Sequence, residues 1–109
     1  MMLVGMIAFP SGEVALHGAT VFVRIEDVTL ADTPSKVLAE TVMRDVNHQG
    51  KSLPFSIQRP STEPGATVNL SVHVSQDGGG QINKGDYLTM QSYPLDPETS
   101  QLNVSVQQV

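Results

Sequence analysis

Apolar and polar positions alternate along much of this chain with a period of two. The steadiest run is Thr67 to Ser75, where Val68, Leu70, Val72 and Val74 take one side and Asn69, Ser71, His73 and Ser75 the other. Successive strand side chains point to opposite faces, so this pattern predicts a strand with one face on a core and the other in water. Ala19 to Thr29 carries the same signal, with Val21, Val23 and Ile25 opposed to Phe22, Arg24 and Glu26, and the rest of the chain is organised around it. Beyond Ile25 the apolar positions move to Val28 and Leu30. A one-residue change of phase in a strand predicts a bulge or a corner, placed at Glu26-Asp27. Leu3 to Phe9 is apolar on both sides, which predicts a strand with little water on either face.

Leu53 to Gln58 sets Leu53, Phe55 and Ile57 against Pro54, Ser56 and Gln58, and a proline within the run predicts an edge position or a strand start. Tyr87 to Gln91 and the group Leu102, Val104 and Val106 complete the strand signals. Lys36 to Arg44 reads two ways. As a helix, Thr33 caps it, Pro34 opens it, and Val37, Leu38, Thr41 and Val42 share a face; as a strand, Val37, Ala39, Thr41 and Met43 do. Pro10-Ser11-Gly12 with His17-Gly18, Ala31 to Ser35, Asp45 to Ser52, Arg59 to Gly65 and Tyr93 to Ser100 read as loops. Turn signals at Asp77 to Gly80 and Asn83 to Asp86 reverse the chain around Ile82. About seven short strands separated by Gly, Pro and Asp loops predict an all-β fold, an immunoglobulin-like antiparallel β-sandwich, as a single domain over residues 1–109.

Composition narrows the function classes. A chain of 109 residues buries roughly two-thirds of its unfolded surface, enough for a core without staples. It has no cysteine, which excludes disulfides, thiolate metal sites and cysteine nucleophiles. Six basic residues against eleven acidic ones give a net charge of −5, with no basic run. Nucleic acid is therefore not an expected partner, because phosphate neutralisation supplies most of such binding. The apolar start Met1 to Phe9 lacks a positive leader region and reads as a strand rather than a signal peptide.

Candidate chemistry does not assemble. His17, His48 and His73 show no metal-ligand spacing, and His73 reads as a solvated strand residue or a pH-sensitive contact at a partner surface. Asp27, Asp32, Asp77, Asp86 and Asp96 sit beside turns without the ligand spacing of a calcium loop. Gly78-Gly79-Gly80 lacks the helix and the Lys-Ser/Thr that complete a phosphate loop. Met6, Met43 and Met90 read as core packing rather than a copper site. No serine has the elbow or the partners of a nucleophile. The expected site list is empty: no catalytic residue, no cofactor and no metal.

The run from His17 to Pro34, then Val37-Leu38-Ala39-Glu40, Leu53-Pro54-Phe55-Ser56-Ile57, and Tyr87-Leu88-Thr89 to Tyr93-Pro94 resembles the YbaY-like lipoprotein domain, grouped with YscW, a lipoprotein pilot of type III secretion. The most specific part is x-V-x-V-x-I-x-D-V-T-L-A-D-x-P, which contains Asp27, Asp32 and Pro34, and the likeness spans Val4 to Leu95. It implies an immunoglobulin-like sandwich, an envelope or periplasmic location after lipidation, and a non-enzymatic role. The chain departs from the pattern at Gln58-Arg59-Pro60, where an aromatic-Asp-Pro segment is usual. It also lacks the lipid-accepting cysteine, so membrane attachment is expected only through an anchor absent from these residues, and a start at Met1 would place the protein in the cytoplasm.

The resulting expectation is a protein-binding or assembly module of the bacterial envelope, not an enzyme, with another protein as partner. Strand addition is the natural mode, at an edge formed by the Pro54 strand or by the final strand, where a proline at Val104 should abolish binding. The alternative is a small-ligand or glycan module using loops at one end, with Tyr87, Tyr93 and His73 as contacts.

Overall fold

The structure is a computed structural model that describes residues 1–10, 14–30 and 32–109. Seven strands follow in chain order: β1 (Met2–Ala8), β2 (Val14–Asp27), β3 (Lys36–Gly50), β4 (Ser52–Gln58), β5 (Val68–Ser75), β6 (Tyr87–Thr89) and β7 (Val104–Gln108). The fold is all-β and sandwich-like, as the alternation predicts. Lys36 to Arg44 is strand, not helix, because it pairs along its length with β2, from Asp27 opposite Lys36 to Val21 opposite Met43.

The spatial order is β3-β2-β5-β6-β7-β1-β4. One layer comprises the antiparallel strands β3, β2, β5 and β6, and the other is built on the antiparallel pair β1–β4. β7 joins them, antiparallel to β6 through Leu88 opposite Gln107 and parallel to β1 through Ile7 opposite Val104. Leu3 and Ile7 of β1, Val21, Val23 and Ile25 of β2, Leu70 and Val74 of β5, and Val104 and Val106 of β7 form the core between the layers. Leu53, Phe55 and Ile57 of β4 point into it as their alternation predicts.

Several local expectations are corrected. The bulge near Ile25 belongs to the partner strand: β2 stays in regular register with β5 through Asp27, while β3 places the extra Leu38 opposite the Ile25–Glu26 step. Leu30 is then left in solvent, so the change of phase marks the chain leaving the sheet. His17-Gly18 and Asp45 to Gly50 are not loops; they lie in a long hairpin between β2 and β3. Two further register shifts explain their polar composition. Gly18, at a φ of 64°, fits the left-handed backbone of the first, and Asp45, at a φ of 53°, sits in the second. The Asn47 side chain ties them together, accepting from Gly18 N–H at 3.0 Å and donating to Asp45 O at 3.1 Å.

The final strand is interior, not an edge, since β7 has β6 on one side and β1 on the other. Proline at Val104 would therefore strike a paired core strand. β4 is an edge, as Pro54 predicts. Arg59 N–H donates to Met1 O and Phe9 N–H to Lys51 O, so the odd-numbered backbone groups of this strand face β1 and the even-numbered ones face outward. The missing N–H of Pro54 thus falls on the free edge, where it removes a donor from would-be partners. The Pro10-Ser11-Gly12 turn and Ala31 fall in part or wholly outside the described residues.

Candidate functional site

Two places hold the side chains that sequence reasoning considered, and they behave oppositely. The first is a polar corner at the end of β5. His73 is buried, not solvated, and its Nε2 donates to Asp86 Oδ2 at 2.9 Å. Asp86 also accepts from Gln76 N–H at 3.0 Å and Asn83 N–H at 3.0 Å. Burial pushes the Asp86 carboxyl up, but the bonds from His73, Asn83 and Gln76 together hold it below the ordinary aspartate value. Its neighbour Asp77 accepts from Gly79 N–H and Ser75 Oγ, each at 2.9 Å, and from Asn83 Nδ2 at 2.7 Å. The Gly79 and Ser75 bonds lower its carboxyl in turn.

These two aspartates organise the 76–86 turn internally. The stacked His73 and Phe22 rings, 5.5 Å apart, lie beneath it, with the Arg24 guanidinium 5.4 Å from the Phe22 ring centre. Both carboxylate oxygens of Asp86 therefore accept from local donors, which ties the turn to the end of β5. Asp27 is used similarly, as its Oδ1 accepts from the Thr29 hydroxyl and from Thr29 N–H, and those bonds lower its carboxyl. Among the described residues, no group of three or more His, Asp or Glu side chains is placed to hold a metal ion.

The loop-end contacts of the alternative reading are also consumed in packing. Tyr87 is buried edge-on against Phe9, with ring centres 5.2 Å apart. Tyr93 is buried, and its hydroxyl accepts from Ser105 N–H at 2.7 Å. With His73 held under the 76–86 turn, none of the three is presented together at one end of the sandwich.

The second place is the outer face of β1 and β4. Register sets Val4 opposite Ser56 and Met6 opposite Pro54 on that face. Segment 100–103 lies on the far side of β1: Val4 N–H donates to Ser100 O, Leu102 N–H to Val4 O, and Met6 N–H to the Asn103 side chain. Gly5 makes this approach possible, because a Cβ there would sit 1.7 Å from Leu102 O. The result is an open trough of about 560 Å³ lined by Val4, Gly5, Met6, Met43, Pro54, Phe55, Ser56, Gln101 and Asn103. Val4 is 46% exposed and Met2 48%, which corrects the expectation that β1 has little water on either face. Met90, expected in the core, is 64% exposed. Sequence reasoning missed the trough because an apolar second face on a strand is the usual mark of burial.

The molecule is thus a small all-β sandwich with hydrogen-bonded polar clusters and an open apolar trough. Its affiliation is specific. The sequence model of the family described as type III secretion system lipoprotein chaperone (YscW) matches residues 2–84, and the chain belongs to that family. Among curated protein sequences no match is found. Among solved structures the fold is similar to that of an alternative pilotin from the type II secretion system of Vibrio cholerae, with a TM-score of 0.77 and 23% sequence identity over 100% of this chain and 96% of that one.

Proposed function

We propose that this protein is a non-enzymatic module of the bacterial cell envelope that binds a protein component of a secretion apparatus and serves its assembly, seating an apolar segment of that partner in the β1–β4 trough. The observation that carries the reading is the trough itself: exposed Val4 beside Met6 and Pro54 on a face that the family's chaperone role gives a reason to leave open. Each Val or Met side chain covered by a partner contributes about 1.5–3 kcal/mol, so a few such contacts give useful affinity. A strand-adding partner at β4 is disfavoured, because Pro54 removes a donor from that edge.

Tagged protein recovered from the producing bacterium, after chemical crosslinking, should carry secretion-apparatus subunits. Val4→Asp keeps the fold, since the side chain faces solvent, and should lower that capture by about tenfold or more. Equal capture by the variant would remove the trough from the reading.

A further inference from the structure

β3 is the other edge of the sheet, and the hydrogen bonds of its neighbours fix which of its backbone groups are free. On β5, Leu70 N–H donates to Tyr93 O, Leu95 N–H donates to Val68 O, and Val72 N–H donates to Thr89 Oγ1. The even-numbered backbone groups of β5 therefore point away from β2. Its odd-numbered groups bond to β2, at Asn69 opposite Glu26, Ser71 opposite Arg24 and His73 opposite Phe22. That alternation leaves Val21, Val23 and Ile25 of β2 to bond β3, where they face Met43, Thr41 and Ala39. Glu40, Val42 and Arg44 must then turn their N–H and C=O groups to the open edge.

That edge is self-complementary. We propose that it pairs antiparallel with the same edge of a second copy of this chain, with the two-fold axis passing beside Val42. In this register Val42 exchanges both backbone bonds with the partner's Val42, while Glu40 faces the partner's Arg44 and Arg44 faces the partner's Glu40. Registers centred on Glu40 or on Arg44 would set like charges opposite one another, which destabilises a cross-strand pair. Registers centred on Thr41 or Met43 use the same outward groups but set Glu40 or Arg44 opposite the partner's Val42 and form no ion pair across the edge. Bonding parity makes the even-numbered groups the ones that pair, and charge then selects the Val42 alignment among the registers it allows.

Side-chain placement agrees with it. Glu40 and Val42 share the face of their β2 partners Arg24 and Phe22, and Arg24 already bonds Glu40 within the chain. Pairing brings the partner's Arg44 to the same carboxylate. Arg44 is exposed and, among the described residues, has no acidic group within 4.0 Å. Thr41, Val42 and Met43 are only half-buried and would lose further contact with water. The extra residue Leu38 on one side and the left-handed Asp45 on the other interrupt the strand, so the pairing is confined to the run between them. In contrast to β4, this edge carries no proline to guard it. The pairing rests on the backbone edge of β3 and the trough on Val4 and Pro54 of β1 and β4, while Met43 belongs to both surfaces.

Sedimentation velocity over a concentration series tests it. A pairing of one short edge is small, so the wild-type chain should pass from monomer to dimer in the micromolar range. Glu40→Arg and Arg44→Glu should each weaken self-association about tenfold or more, since both alignments across the two-fold then set like charges opposite. An equimolar mixture of these two variants should restore a dimer, because every cross-strand pair becomes opposite in sign. Val42→Pro, which removes only an outward N–H, should abolish the dimer while the circular dichroism spectrum is kept. A wild-type chain that stays monomeric to about 0.5 mM, a variant mixture that stays monomeric while the wild type dimerises, or a folded Val42→Pro chain that still dimerises would each overturn the proposal.

Discussion

The corner at Asp86 and the trough at Val4 lie in the same small sandwich and use their surroundings in opposite ways. At the corner, buried polar atoms are matched donor to acceptor, so the turn from Gln76 to Asp86 is fastened. At the trough, backbone bonds to segment 100–103 are complete while the apolar side chains above them meet water. Polar satisfaction makes one region structural, and unfinished apolar burial makes the other a candidate for binding.

Substitutions that invert either condition should separate the two regions. The largest effect is expected at the floor of the trough, where Gly5→Ala places a methyl on Leu102 O and must push segment 100–103 away from β1. Urea unfolding should show a loss of about 3 kcal/mol or more, as for other overpacked sites. Next comes Asp86→Ala, which strands the His73 ring and the Gln76 and Asn83 N–H groups. A loss of about 2–3 kcal/mol is expected, with faster amide exchange confined to residues 76–86.

That second cost depends on pH in a direction set by the lowered Asp86 carboxyl. A carboxyl whose folded value lies below its unfolded one stabilises fully above the unfolded value near about 4. The contribution is lost as pH falls through the lower folded value. The gap between wild type and Asp86→Ala should therefore be constant near neutrality and shrink in acid. The smallest of the three effects is Tyr93→Phe, which removes the acceptor for Ser105 N–H and should cost about 1 kcal/mol in the same urea assay.

Most of the strand content was legible because alternation at period two reports a face directly: Val68 to Val74 and Leu53 to Ile57 point inward as read. What failed depended on neighbours that a single strand does not encode. Asn69, Ser71, His73 and Ser75 looked solvated, yet the returning 76–86 turn covers His73 and Ser75. Val4 and Met6 looked buried, yet Val4 is exposed and Met6 only half-buried at the trough. Asp45 to Gly50 looked like a loop because its Asp, Asn and Gly serve bulges within a hairpin, using the same residue types that turns use. Val104 looked peripheral because strand order is set by crossovers, and β7 inserts between β6 and β1. The family likeness, carried by the β2 segment, was readable where the binding surface was not.

The double pairing of β7 also governs the order of events in time. Ile7 finds its parallel partner only at Val104, so the backbone ladder between β1 and the other layer waits for the last strand. Closing so long a loop is slow relative to forming the local β2–β3 hairpin. A chain emerging from the ribosome therefore has no backbone ladder between its two layers until its last strand is made.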